Sequence, residues 1–231
     1  MMLLALESSA KAASVALCDG DRLIAQYRQA SGLTHSRTLL AMTEDLLKNT
    51  ETSMEQIDAF AVAGGPGSFT GIRIGMAAAK GLAWGAGKPL CSVSTLEAMA
   101  WHCSDDRVTV CPVMDARRSQ VYNALFSVGP GGPVRLTEDR AISLEELAAD
   151  AGKSDRPFWF TGDGSALCAA RFAEAGLPFV LAPEPLRLPD AWGVAAAARK
   201  GPFLDPADTE PNYLRLSQAE RERLARLAAD R

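Results

Sequence analysis

The segment AFAVAGGPGSFTGIRIGMAAAKGLAWG (59–85) carries the first pattern with chemical meaning. An apolar run stops at Gly64-Gly65-Pro66-Gly67-Ser68, and small and apolar residues then resume at helical spacing. A glycine-rich turn before a helix can hold phosphate through free backbone amides and the helix dipole. A Walker A loop needs Gly-x4-Gly-Lys-[Ser/Thr]. Here Thr70 stands where the second glycine belongs and Lys80 lies far down the helix, so that reading fails. A dinucleotide fingerprint needs Gly-x-Gly-x-x-Gly and an acid at the end of the next strand. Thr70 takes the third glycine's place, and Cys91 and Ser92 lie where the acid would stand. Two readings stay open: an anion site at the helix start, or a tight turn with Ser68 as N-cap. Physical chemistry alone favours the turn.

Two acids hold matching places. In LLALESSAKAASVAL and TVCPVMDARRSQVYNALF, a strand ends in Glu7 or Asp115, a polar turn follows, and a second strand returns. The echo is either a chance likeness between hairpins or a duplicated lobe whose acids face a shared cleft. The histidines are His35 and His102, and neither belongs to a His-x-x-x-His pair. A metal site needs several converging ligands, so no metal or cofactor is expected. No nucleophile–base pair can be assigned from spacing, and no catalytic residue is named.

The elements that must position these residues follow from periodicity. Residues 3–7 read as a strand and 13–28 as a hairpin turning at Asp19-Gly20-Asp21, where glycine permits positive φ. Residues 34–49 read as a helix with an apolar stripe of Leu39, Met42 and Leu46 beside Leu40 and Leu47. Strands at 57–64 and 88–94 flank the glycine loop and its helix, and a helix follows at 95–103. Asp105-Asp106-Arg107 marks a lobe boundary, dividing the chain into 1–104 and 105–231. Residues 108–128 read as two strands. Ser143 and Glu146 form a capping box opening a helix. A strand (156–164), a helix, a strand and a helix follow, and Ser217 with Glu220 caps a last helix in the same pattern.

In the glycine-loop helix, Gly71, Gly75 and Ala79 recur every four residues, beside Ile72, Met76 and Ala83. An interior glycine costs about 0.5–1 kcal/mol relative to alanine. A face of small residues therefore implies close approach by something, either the chain's own sheet or another helix.

Composition bounds the partners. With 231 residues, 48% of them apolar, the chain can bury a sizeable core in one large domain or two lobes. The net charge of −4 and the missing basic stripe argue against nucleic-acid binding by this chain alone. Five cysteines without Cys-x-x-Cys spacing read as reduced core residues. No apolar stretch reaches membrane-spanning length and no leader pattern opens the chain. The expectation is a soluble cytoplasmic protein without a membrane partner.

The segments GGPGSFTGIRIGMAAAKGLA, LLALESSAKAASVAL, VMDARRSQVYNALF and EPNYLR together resemble the bacterial TsaB (YeaZ-type) family, over most of the chain. The resemblance implies an α/β protein with the two-lobed fold of actin, Hsp70 and sugar kinases, built from duplicated mixed-sheet lobes. It implies a non-catalytic sister of TsaD that takes part, with TsaD and the ATPase TsaE, in making N6-threonylcarbamoyladenosine in tRNA. tRNA would be met only through that complex. The family usually has Asp-Thr at the first turn, where this chain has Glu7-Ser8. Kinases and chaperones of this fold follow the second-lobe acid with glycines and small hydroxyls, which let backbone approach phosphate. Here Ala116-Arg117-Arg118-Ser119 follows, which makes Glu7 and Asp115 a vestigial nucleotide site. The alternative is a small-molecule kinase or ATPase using both acids around magnesium. Under the family reading, the docking face for TsaD, or for a second copy of the chain, is expected at Leu39, Met42, Leu46, Phe69, Gly71, Ile72, Gly75, Met76 and Ala79.

Overall fold

A computed structural model describes residues 1–215 and Arg226. The last expected helix and its Ser217–Glu220 box lie outside the described residues. The first sheet holds β1 (Met2–Glu7), β2 (Ala13–Asp19), β3 (Arg22–Gln29), β4 (Ala59–Gly65) and β5 (Leu90–Ser94), in the order β3-β2-β1-β4-β5. The expected hairpin turns at Gly20, at φ 56°. Alternation along β1 divides its side chains between the two faces. Leu4 and Leu6 join Leu39 and Leu46 of α1 (His35–Asn49) and Met76 and Ala79 of α2 (Phe69–Ala86). Leu3 and Ala5 face the opposite way, toward Ala98 of α3 (Thr95–Ala100) and Val194 of α6 (Ala191–Ala198).

The second sheet repeats the plan. It holds β6 (Thr109–Asp115), β7 (Gln120–Asn123), β8 (Phe126–Gly129), β9 (Gly132–Arg135), β10 (Arg140–Ser143), β11 (Phe158–Thr161) and β12 (Phe179–Leu181). Its main path runs β10-β7-β6-β11-β12, with β8 and β9 as a side hairpin. In each lobe the first strand pairs antiparallel with its hairpin partner and parallel with the strand that precedes the next glycine loop. The strands ending in Glu7 and Asp115 are therefore structural counterparts, and the fold is the duplicated two-lobed α/β arrangement. Two helices, α4 (Leu144–Ala151) and α5 (Ser165–Glu174), cover the outer face of the second sheet through Leu147, Cys168 and Phe172. The Ser143–Glu146 capping box opens α4 as expected. The inner face packs on Leu96, Met99 and Ala100 of α3, so this short helix serves both lobes.

Three departures from the sequence reading have physical causes. The run 108–128 forms three strands, because the chain breaks after Asn123 and the Leu125 amide donates to Thr137 Oγ1 (2.9 Å). The strands β9 and β10 have four residues each and draw their order from pairing with β8 and β7, which short polar sequences do not signal. The lobe boundary at residue 105 also does not hold to the C-terminus. Residues 190–209 return to the first lobe, where α6 packs on β1, β2, β4 and β5 and Leu204 bridges to Leu90.

Each lobe depends on a glycine where hairpin and loop backbones meet. At Gly162, φ is 100° and an added Cβ would overlap the Val113 carbonyl. Gly162→Ala is expected to cost at least about 2 kcal/mol, read as a lower urea midpoint at unchanged m-value.

Candidate functional site

A cleft of about 420 Å³ opens between the lobes. Its first-lobe wall comprises the β1–β2 turn (Ser9, Ala10, Lys11) and the glycine loop (Pro66 to Phe69); its second-lobe wall is Met114 to Arg117 with Tyr122 and Asp163, and residues 212–215 complete it.

The glycine loop owes its shape to the hairpin turn beneath it. The Ser68 amide donates to the Ser9 carbonyl (2.7 Å), and Ser8 Oγ donates to the Gly71 carbonyl (2.9 Å). An added Cβ at Gly71 would overlap the Ser8 carbonyl, and one at Gly75 would overlap Ser8 Oγ. Ser68 caps α2, its hydroxyl accepting from the Gly71 amide (3.2 Å). The loop is thus the tight capped turn, with two of its amides already engaged inside the protein.

The structure separates the paired acids. Asp115 lines the cleft, but its carboxylate accepts from the Arg117 amide (2.7 Å) and lies 3.5 Å from the Arg117 guanidinium. Arg117, Arg118 and Ser119 follow with φ of 66°, 56° and 55°, each a conformation costing a non-glycine residue about 1–2 kcal/mol. Glu7 does not face the cleft. It is fully buried, with Oε1 accepting from the Ser9 amide (2.5 Å) and Ser9 Oγ (2.6 Å), while Oε2 has no partner among the described residues. Burial pushes its carboxyl up to about 7, against the lowering effect of the Ser9 hydrogen bonds and with a further push from Asp190.

Asp163, which sequence reasoning passed over, lines the cleft and accepts from the Asp115 amide (3.1 Å). Burial raises its carboxyl as well. Its signal was the Gly-Asp-Gly after β11, the second-lobe counterpart of the glycine loop. The histidines serve structure: His35 Nε2 donates to the Ala10 carbonyl (2.8 Å), and His102, buried beside Trp192, donates to Asp190 at the start of α6 (3.1 Å). All five cysteines are free and buried, and burial lifts Cys18 and Cys91 to about 11 and Cys168 to about 12, so these thiols are unreactive near neutrality.

Most of the residues expected at the docking face point inward. Leu39, Leu46, Gly71, Ile72, Gly75, Met76 and Ala79 are buried, Leu39, Leu46, Met76 and Ala79 in the core beneath the first sheet. Met42 is partly buried against that core, and Phe69 stacks on Tyr213 with ring centroids 4.7 Å apart. The small face of α2 turns inward because Ser8 of its own hairpin needs the space. The outward face of α2 carries Thr70, Arg73, Ala77, Gly81, Trp84 and Gly85, with Trp84 79% exposed. An added Cβ at Gly81 or Gly85 would meet nothing among the described residues.

Comparison with known proteins places this architecture. The family model for TsaD, tRNA N6-adenosine threonylcarbamoyltransferase, matches residues 29–222. The Escherichia coli tRNA threonylcarbamoyladenosine biosynthesis protein TsaB is 33% identical, over 93% of this chain and 95% of that protein. The chain belongs to the TsaB (YeaZ-type) family. Bacillus subtilis TsaB is 29% identical over 95% of this chain and 96% of its own length. Among solved structures, YeaZ from Pseudomonas aeruginosa superposes with a TM-score of 0.79 at 27% identity, covering 92% of this chain and 99% of that one. At the level of fold alone, the (R)-2-hydroxyglutaryl-CoA dehydratase component A of Acidaminococcus fermentans has a TM-score of 0.50 at 13% identity, over 87% of this chain and 98% of that one. Among the described residues, no helix is long and apolar enough to cross a membrane.

Glu7 gives a pH prediction. An unfolded glutamate titrates near about 4.3, so the buried carboxyl retains a proton that the unfolded chain releases. Its contribution to stability is full below pH about 4.3 and is lost as pH rises through about 7. Glu7→Gln should flatten that part of the stability–pH curve and exceed the parent at pH 8 by at most about 3–4 kcal/mol, measured by urea titrations across the range. A second substitution tests the inward face. Gly75→Leu should lower stability by at least about 1–3 kcal/mol, seen as a reduced melting temperature of the isolated chain. An unchanged melting temperature would contradict the packing of Ser8 against α2.

Proposed function

We propose that this TsaB-family chain is a non-catalytic subunit in the formation of N6-threonylcarbamoyladenosine in tRNA, working in the cytoplasm. It pairs with TsaD, assembles with the ATPase TsaE, and meets tRNA through that complex. The pathway comes from its TsaB relatives, whose names carry it over nearly their full length. The non-catalytic reading rests on the cleft. A magnesium-dependent kinase or ATPase would need both acids exposed to the metal and phosphates, whereas Glu7 is sealed behind the first turn and Asp115 is held by its own turn.

The outward face of α2 carries the docking reading. Gly81 and Gly85 each weaken the helix by about 0.5–1 kcal/mol, yet nothing among the described residues needs the space at either position. With Ala77 they recur one turn apart along the outward face of α2, beside the exposed Trp84. A strip of small residues beside an aromatic side chain suits close approach by another helix, followed by burial of the ring. The same face would serve a homodimer when TsaD is absent.

Gly81→Leu separates docking from folding. The isolated chain should keep or slightly raise its melting temperature, since leucine is the better helix former. Its affinity for TsaD should fall about five- to 150-fold, equivalent to about 1–3 kcal/mol of overpacking at an interface. Threonylcarbamoyl transfer by TsaD with TsaE should require the parent chain and weaken with the variant. Full affinity in Gly81→Leu would move the contact off this face.

A further inference from the structure

After α6 the chain runs back across the first lobe to the cleft, and its contacts change character along the way. At Leu204 it joins the edge of β5, with reciprocal amide-to-carbonyl hydrogen bonds to Leu90 at 2.9 Å. Lys80 of α2 then donates to the carbonyls of Ala207 (3.3 Å) and Thr209 (2.9 Å), and the Thr209 side chain is buried. Beyond Glu210-Pro211 the Asn212 amide donates to the Gly64 carbonyl (2.7 Å). A Cβ at Gly65 would overlap the Asn212 carbonyl, so this second loop glycine makes room for the returning chain. Tyr213 lies against Phe69, and its hydroxyl accepts from Arg73 Nε (3.1 Å), with the Arg73 guanidinium 3.9 Å above the Phe69 ring. Arg215 then reaches the other lobe, donating to the Ala116 carbonyl (3.0 Å) and to Gln120 Oε1, 5.7 Å from the Tyr122 ring centroid.

We propose that residues 210–215 are a releasable clasp. They are anchored to the first lobe at 204–209 and latched to the second lobe by Arg215, and they hold the lobes at one opening across the mouth of the cleft. The two halves differ as a clasp requires. The anchor has a strand bridge and a buried threonine. The latch consists of partly exposed residues joined by hydrogen bonds and ring contacts, and segments with few buried apolar contacts open at low free energy. Arg215 grips the β6–β7 turn that carries Asp115 and the left-handed residues 117–119. Releasing it frees the second-lobe wall while both sheets stay intact. Because Asn212 to Arg215 line the cleft themselves, entry into the cleft and release of the latch are one event.

The test uses the full chain without partners. In Arg215→Ala, hydrogen exchange should quicken about tenfold at the Asn212 amide and through residues 114–122, as expected for losing a charge-assisted hydrogen bond. Exchange in β1 and β4 should not change. Spin labels at Glu44→Cys and Ala170→Cys, one per lobe and both exposed, should report a broader distance distribution in Arg215→Ala than in the parent. Gln120→Ala removes an acceptor from the opposite lobe. It should produce a smaller opening in the same residues, because the Arg215 hydrogen bond to the Ala116 carbonyl remains, and combining it with Arg215→Ala should add little. Parent-like exchange and distances in both single variants, or fully additive effects in the double variant, would overturn the clasp. Should Arg215→Ala fail to fold, the Gln120→Ala result decides alone.

Discussion

The Ser68 amide meets the Ser9 carbonyl at 2.7 Å, and that backbone-to-backbone approach sets much of the first lobe. It brings the turn after β1 against the start of α2 more closely than side chains at Gly67, Gly71 or Gly75 would allow. The helix must therefore present its smallest face inward, which aims Met76, Ala79 and Ala83 at the sheet. It also sends Gly81, Trp84 and Gly85 outward. One close contact thus determines both the core beneath α2 and which of its residues face outward.

The second lobe repeats the contact with different chemistry. Gly162 approaches Val113 as the first-lobe glycines approach Ser8 and Ser9, and Asp163 reaches back to the Asp115 amide. The turn that would offer open amides to phosphate in a kinase instead passes through three left-handed non-glycine residues. Its backbone is occupied by Asp115, Gln120 and Arg215. The cleft between the lobes remains open, while Asp115 and the backbone of its turn are engaged with their own neighbours.

The C-terminal third then joins the halves. Helix α6 fills the inner face of the first sheet, and its capping residue Asp190 accepts from both His102 and the Gly193 amide. Those hydrogen bonds hold the Asp190 carboxyl below its ordinary range even though burial acts in the opposite direction. Glu7 is fully buried, which raises its proton affinity, and Asp190, far along the chain, adds to that rise.

Local order was legible in the sequence because it rests on local rules. The hairpin at Gly20, the Ser143–Glu146 box, the Ser68 cap and the alternation in β1 each depend on residues a few positions apart. The matched hairpins ending in Glu7 and Asp115 announced the duplication for the same reason, and four motifs together announced the family. Tertiary structure alone decided which face of α2 is inside. Gly71, Gly75 and Ala79 on one side and Ala77, Gly81 and Gly85 on the other give similar small-residue periodicities, and only the position of Ser8 distinguishes them. It also decided that Glu7 is buried and Asp115 is exposed, since both stand at matching strand ends. Periodicity reports that a face must be covered; the covering element is set by contacts between residues far apart in the chain.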